Sequence, residues 1–224
     1  MTEKKSRKSP VSAKLVLIAL AAGLIAGAVA VYVKNAVTGN GMGDLAASQC
    51  KPAAETAERL KPLAIGEVAA FIPAEKPQKL PNLAFRDSDG ETTLANLAGK
   101  TVLMNLWATW CIPCREEMPA LDRLEADMGG ENFEVVAVNI DTGTDEKPVR
   151  FLDEIGINAL AFYRDETMTT FNTLKKEGLA FGLPSTVLID ENGCLLGAMN
   201  GPAEWDSADA KALVGAALGG GENA

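Results

Sequence analysis

Met104-Asn-Leu-Trp-Ala-Thr-Trp-Cys-Ile-Pro-Cys-Arg-Glu-Glu-Met-Pro119 is the stretch that decides the fold. Thr101 to Trp107, which overlaps its start, is a continuous apolar run with a β-branched beginning, as in a strand buried on both faces. From Pro113 the pattern turns helical, with Met118, Leu121 and Leu124 at spacings of three. Cys111 therefore falls at a helix N-terminus. Unpaired backbone N–H groups and the positive end of the helix dipole favour a thiolate there, so its pKa is expected below the free value of about 8.5. That makes Cys111 the expected nucleophile. Cys114 lies on nearly the same helical face, at a separation suited to the roughly 4.4 to 6.8 Å between the Cα atoms of a disulfide, and is the expected resolving thiol. Pro113 stiffens the loop between the sulfurs and removes a donor that the first turn cannot satisfy.

Cys-x-x-Cys also opens many structural zinc motifs, which need two further ligands. The chain has four cysteines and no histidine, and Cys50 and Cys194 stand far apart in unrelated contexts. The dithiol is thus read as redox-active, with no metal. Without histidine, Cys-His hydrolases and His-ligated copper chaperones are disfavoured.

Working outward, Lys4, Lys5, Arg7, Lys8 and Lys14 precede an uncharged apolar stretch from Leu15 to Val33. As a helix that stretch spans about 28 Å, close to the roughly 30 Å of a bilayer core. It is read as a single transmembrane anchor (15–33) behind a cytoplasmic basic tail (1–14), with the rest of the chain on the opposite side of the membrane. A cleaved signal peptide is the rival, since Ala28-Val29-Ala30 fits the small-x-small pattern. Residues 34–79 are read as a tether and N-terminal extension. The tether is glycine-containing, a short helix is expected around Pro52 to Leu60, and proline-marked irregular chain follows. The compact domain is expected near Leu80 and extends to residue 220.

Within it, Asp87-Ser-Asp-Gly90 predicts a hairpin between Leu83–Phe85 and Glu91–Leu94. Phe133 to Ile140 predicts a second buried strand and completes a right-handed βαβ unit. Asp145–Ile155 reads as a helix, Leu160–Tyr163 as a strand, and Glu166–Lys176 as a helix. Thr186–Asp190 and Cys194–Ala198 form a hairpin around Glu191-Asn-Gly193, and Ala203–Leu218 forms a last helix. The sum is one α/β domain of about 140 residues, large enough for its own core. The net charge is −9, and the first 14 residues contribute +4, which leaves −13 for the remainder. Such acidity argues against nucleic acid and anionic membrane surfaces as partners.

Trp107-Ala-Thr-Trp-Cys-Ile-Pro-Cys114, then Pro119 and Gly182-Leu-Pro-Ser-Thr186, resembles the thioredoxin superfamily. The Cys-Arg-Glu-Glu-Met-Pro spacing, the insertion from Thr142 to Gly178 and the anchor resemble its bacterial TlpA/ResA group. These are exported, membrane-anchored thiol-disulfide oxidoreductases of cytochrome c and cytochrome oxidase (copper centre) maturation. The resemblance covers residues 80 to 218 and implies a thioredoxin-like fold, a mixed central sheet flanked by helices. It also implies that Cys111 attacks, that Cys114 resolves, and that Pro184 is a cis-proline facing the sulfurs. A cis bond there would expose the backbone of Leu183 to an extended substrate segment.

Pro119 is expected to kink the helix. Glu117 shares the face of Cys114 and is read either as a proton relay for the thiols or as a solvated surface residue. Asn105 stands where thioredoxins carry a buried Asp, which shifts proton transfer elsewhere. Trp110, Ile112 and Pro113 are candidate substrate contacts beside Pro184 and Leu183. In an exported compartment the spare Cys50 and Cys194 are expected to form a structural disulfide.

The expected reaction is attack by Cys111 on a disulfide of an exported protein, resolved by Cys114, with electrons returned by a membrane thiol-disulfide carrier. A monomer without organic cofactor is expected, in the cytoplasmic membrane with its C-terminal domain in the periplasm. Three alternatives stay open: an oxidant or isomerase using the same pair, a peroxide-reducing enzyme, and a copper-binding assembly factor.

Overall fold

A computed structural model describes residues 50–219. The apolar stretch 15–33 lies outside them, and among the described residues no helix is long and apolar enough to cross a membrane.

Among the described residues the first element is α1 (Lys51–Leu60), followed by two 3-10 turns and β1 (Ile72–Pro73). The hairpin β2 (Ala84–Arg86) and β3 (Glu91–Thr93) follows, then β4 (Thr101–Trp107), α2 (Ile112–Met128) and β5 (Phe133–Asn139). The remainder is α3 (Glu146–Ile155), β6 (Tyr163–Arg164), α4 (Thr169–Lys176), β7 (Ser185–Ile189), β8 (Leu195–Asn200) and α5 (Ala208–Ala217). One eight-stranded sheet runs in the order β1-β8-β7-β4-β5-β6-β2-β3. β4 is parallel to β5 and antiparallel to β7, and β5 is parallel to β6. Every residue of β4 is buried, including Thr101 and Asn105, so its unbroken apolar run reflects cover on both faces.

Among the described residues, the chain before Leu80 also packs into the compact body. Ala53, Ala57, Leu60, Val68 and Phe71 are all buried, and α1 packs against α5 and β8. Ala53, Ala57 and Leu60 keep helical spacing, but the proline-marked chain after them hid the packing, because its few apolar residues follow neither period. Gly197 of β8 makes the docking possible: a Cβ there would lie 2.7 Å from the carbonyl oxygen of Ile72 and would collide with the Phe71 ring. Cys50, the N-cap of α1, is disulfide-bonded to Cys194 before β8, with Cα atoms 5.6 Å apart. The hairpin between β7 and β8 turns on Gly193, whose φ of 80° is a left-handed conformation natural to glycine.

Three boundaries differ from the sequence reading by three residues or more, each because a side chain captures backbone N–H groups. The strand expected at Leu160–Tyr163 starts only at Tyr163. Asp122 Oδ1 accepts from the N–H groups of Asn158, Ala159 and Leu160 at 3.0, 2.7 and 3.0 Å, which turns that segment away from the sheet. The helix expected from Glu166 starts at Thr169. The Asp165 carboxylate accepts from the N–H groups of Thr167 and Thr170, and Met168 is left-handed with φ of 58°. The last helix starts at Ala208 rather than Ala203, capped by Ser207, because residues 203–205 serve Glu117.

Candidate active site

After β4 the chain turns through Ala108–Trp110, and Cys111 becomes the N-cap of α2 in extended backbone conformation. Its Sγ accepts from the N–H of Cys114 at 3.3 Å, the capping bond that would also favour a thiolate. Cys111 and Cys114 form a disulfide with Cα atoms 5.3 Å apart. Cys111 is 5% exposed and Cys114 is fully buried, so only the first sulfur can meet a partner. The preceding loop is pinned from the end of β5. Asp141 Oδ2 accepts from Thr109 N–H at 3.1 Å and from Asn139 Nδ2 at 3.2 Å. α2 continues through Pro119 to Met128.

Glu117 lies one turn beyond Cys114 and is buried, which removes the solvated reading. Oε1 accepts from Asn105 Nδ2 at 2.8 Å, while Oε2 accepts from Ala203 N–H at 3.1 Å and Trp205 Nε1 at 3.3 Å. Burial pushes its pKa up to about 7; the three donors oppose this and nearby Glu204 adds to it. Asn105 gives its other N–H to Thr186 Oγ1 at 3.0 Å. Sequence reasoning missed Trp205 and Thr186, whose separations from α2 carry no local signal.

The Leu183–Pro184 peptide bond is cis. β7 follows it, and the pairing of Ser185 with Leu106 brings Pro184 to the end of β4 from which the cysteine loop departs. Asn200 holds this turn. Its Oδ1 accepts from Phe181 N–H at 2.9 Å and Ser185 Oγ at 2.8 Å, and its Nδ2 donates to Leu179 O at 3.1 Å. Pro184 is buried, Leu183 and Pro113 are half-buried, and Trp110, Ile112 and Phe181 stand 62%, 68% and 75% exposed. Trp110 and Ile112 flank Cys111 in sequence, and Phe181 stands three residues before the cis-proline. Phe181 was not among the expected contacts. Among the described residues no group of three or more His, Cys, Asp or Glu side chains is arranged to hold a metal ion.

A mixed sheet flanked by helices, a Cys-x-x-Cys pair capping a helix after a central strand, and a cis-proline before the neighbouring strand define a thioredoxin-like thiol-disulfide oxidoreductase. The chain belongs to the Redoxin family, whose model matches residues 75–214. It is 33% identical over 128 residues to the thioredoxin-like protein YneN of Bacillus subtilis, covering 54% of this chain and 69% of that protein. It is 34% identical over 114 residues to the thiol-disulfide oxidoreductase ResA of Halalkalibacterium halodurans, covering 50% and 61%. Among solved structures, a protein described as thiol:disulfide interchange protein DsbE from Chlorobium tepidum superposes with a TM-score of 0.54 at 30% identity, covering 62% of this chain and 95% of that one.

Proposed function

We propose that this protein reduces disulfides of exported proteins during cytochrome c or cytochrome oxidase maturation, held at the cytoplasmic membrane by residues 15–33. The observation that carries the reading is the asymmetric dithiol, with Cys111 capping α2 at the surface and Cys114 buried one turn from a carboxyl poised near neutrality. The Cys111 thiolate attacks one substrate sulfur and forms a mixed disulfide, and the other substrate sulfur leaves as a thiolate and takes up a proton. Cys114 then gives its proton to Glu117 and attacks Cys111 Sγ, which releases the second substrate thiol. Two electrons pass to the substrate, and the protein is left with the Cys111–Cys114 disulfide.

A membrane thiol-disulfide carrier restores the dithiol, and tethering raises the frequency of that encounter. The cis-Pro184 turn offers the backbone of Leu183 to an extended substrate segment, between Trp110, Ile112 and Pro113. The Cys50–Cys194 disulfide is structural and stays closed through the cycle.

A Cys114→Ser variant tests the reading. It should accumulate Cys111-linked mixed disulfides with exported proteins, identifiable by mass spectrometry after nonreducing separation. Recovery of no Cys111-linked partner would overturn the assignment. Equilibration of the dithiol with glutathione fixes the direction: a potential well below the glutathione couple agrees with a reductant.

A further inference from the structure

Beside the dithiol the surface changes sign. A cavity of about 390 Å³ lies against the loop that carries Cys111, lined by Thr109, Arg115, Lys147, Arg150, Phe151 and Glu154. Three cations face one carboxylate there, on a chain whose residues after Lys14 carry −13. Arg115 and Lys147 take part in no ion pair among the described residues, and Arg150 reaches Glu154 only at 3.8 Å across an exposed pair. Arg115 is held by a ring instead of an acid: its guanidinium carbon sits 4.8 Å from the centroid of Phe151. Stacking restricts the guanidinium while leaving its N–H donors for an outside acceptor.

Thr109 supplies a second, independent sign. It is only 5% exposed, its N–H is used on Asp141, and its hydroxyl is buried without any hydrogen-bond partner. A buried hydroxyl left unpaired is destabilising, and because Thr109 lines the cleft, a small side-chain rotation would let an oxygen-bearing ligand there become its partner. The adjoining cavity shares Arg115 and Phe151 but is otherwise lined by Ile112, Glu116 and Ile155. Basic and apolar surface therefore meet within one residue of each cysteine, which suits a polypeptide carrying an acid beside apolar residues better than a free inorganic anion. At physiological ionic strength the Debye length is about 8 Å, so the acidic body does not cancel the cleft's attraction for a group already inside it.

We propose that this cleft is a carboxylate subsite for the substrate polypeptide: an acidic side chain flanking the substrate cystine pairs with Arg115 and Lys147 while the cystine lies over Cys111. The inference rests on the disulfide-reductase reading. It assigns these side chains to substrate register, a task separate from the chemistry of Cys114 and Glu117.

Stopped-flow reaction of the prereduced full chain with two cystine peptides, identical except for Glu or Gln beside the cystine, tests it. The Glu peptide should react about fivefold faster at low salt, the span expected of exposed ion pairs, and the ratio should approach one in about 1 M salt. Arg115→Gln and Lys147→Gln should each lower the ratio toward one. Lys147 is exposed in the first turn of α3, so its variant carries the test if the Arg115 variant disturbs the packing on Phe151. In Arg115→Glu, a Lys-flanked peptide should overtake the Glu-flanked one. Equal rates for both peptides with the unaltered protein would overturn the carboxylate subsite and leave the reductase reading standing. Reaction with neither peptide would remove that reading instead. Acetate added at constant ionic strength should leave the ratio intact; abolition of the ratio by acetate would mark a site for free anions and overturn the substrate assignment.

Discussion

Burial lifts the carboxyl of Glu117 to about 7 from an ordinary 4.5, even though Asn105, Ala203 and Trp205 all donate to it. A raised carboxyl pKa means that the folded chain holds this proton more tightly than the unfolded one. The contribution is fully present below pH 4.5 and is lost as pH climbs to about 7, beyond which it is flat. The span is worth about 3 kcal/mol. Chemical denaturation of the protein and of Glu117→Gln at pH 5 and pH 8 should therefore show a fall with pH that is smaller in the variant by about that amount. An equal fall in both would assign the pH dependence to other groups. The same substitution removes the proposed proton acceptor of Cys114. Resolution of a preformed Cys111 mixed disulfide should slow by about 10²-fold near pH 7 and lose its inflection there, measured by rapid quench with a peptide disulfide. The spacing from Cys114 to Glu117 was legible along the helix. The lid over that carboxyl was not, because Ala203 and Trp205 reach it across more than eighty residues.

At the level of elements, β4, α2, β5 and the two hairpins were readable because each is specified by its own periodicity, cap or turn residues. Cys111 caps α2, Gly193 turns the β7–β8 hairpin, and neither needs a distant partner. The elements misplaced from sequence are those whose N–H groups are taken by Asp122, Asp165 and Glu117, contacts that propensity does not encode. The docking of α1 and β1 was likewise hidden, since it depends on the bare backbone of Gly197 beneath Phe71. Gly197→Ala should cost about 1–3 kcal/mol by overpacking, and should make the segment before Leu80 exchange its amide protons faster than the central strands. Unchanged exchange there would mean that Phe71 finds another rotamer. The Cys50–Cys194 disulfide clamps the same extension across a separation of 144 residues. In the chain-entropy model a loop of this size stabilises by about 5 kcal/mol. Replacing both cysteines by Ala should then lower the melting temperature by about 10–20 °C while Cys111 and Cys114 still cycle.

For the whole molecule, charge separates two ways of meeting a membrane. The first 14 residues carry +4 and the remainder −13, so the folded body is repelled by an anionic leaflet and surface adsorption opposes what the enzyme needs. The membrane electron carrier of the proposed function would be kept near the dithiol only if something other than electrostatics held the body there. In the proposed function the nineteen apolar residues from Leu15 to Val33 would meet that need, since a helix of that length would match the bilayer core and the cations preceding it would favour an N-terminus in the cytoplasm. The two attachments respond oppositely to salt and alkali. An adsorbed protein leaves the membrane in high salt or carbonate, whereas a spanning one stays. The full chain should therefore remain in carbonate-washed membranes, and a chain starting at Ala46 behind a cleavable secretion signal should be recovered in the soluble exported fraction with its dithiol reactivity intact. That truncated form should react with soluble peptide disulfides at the rate of the full chain, yet be re-reduced far more slowly in vesicles containing the electron donor, since only the local concentration has changed. A mature protein beginning at Val31 would show that the stretch is removed, and would transfer the task of meeting the donor to the acidic body alone.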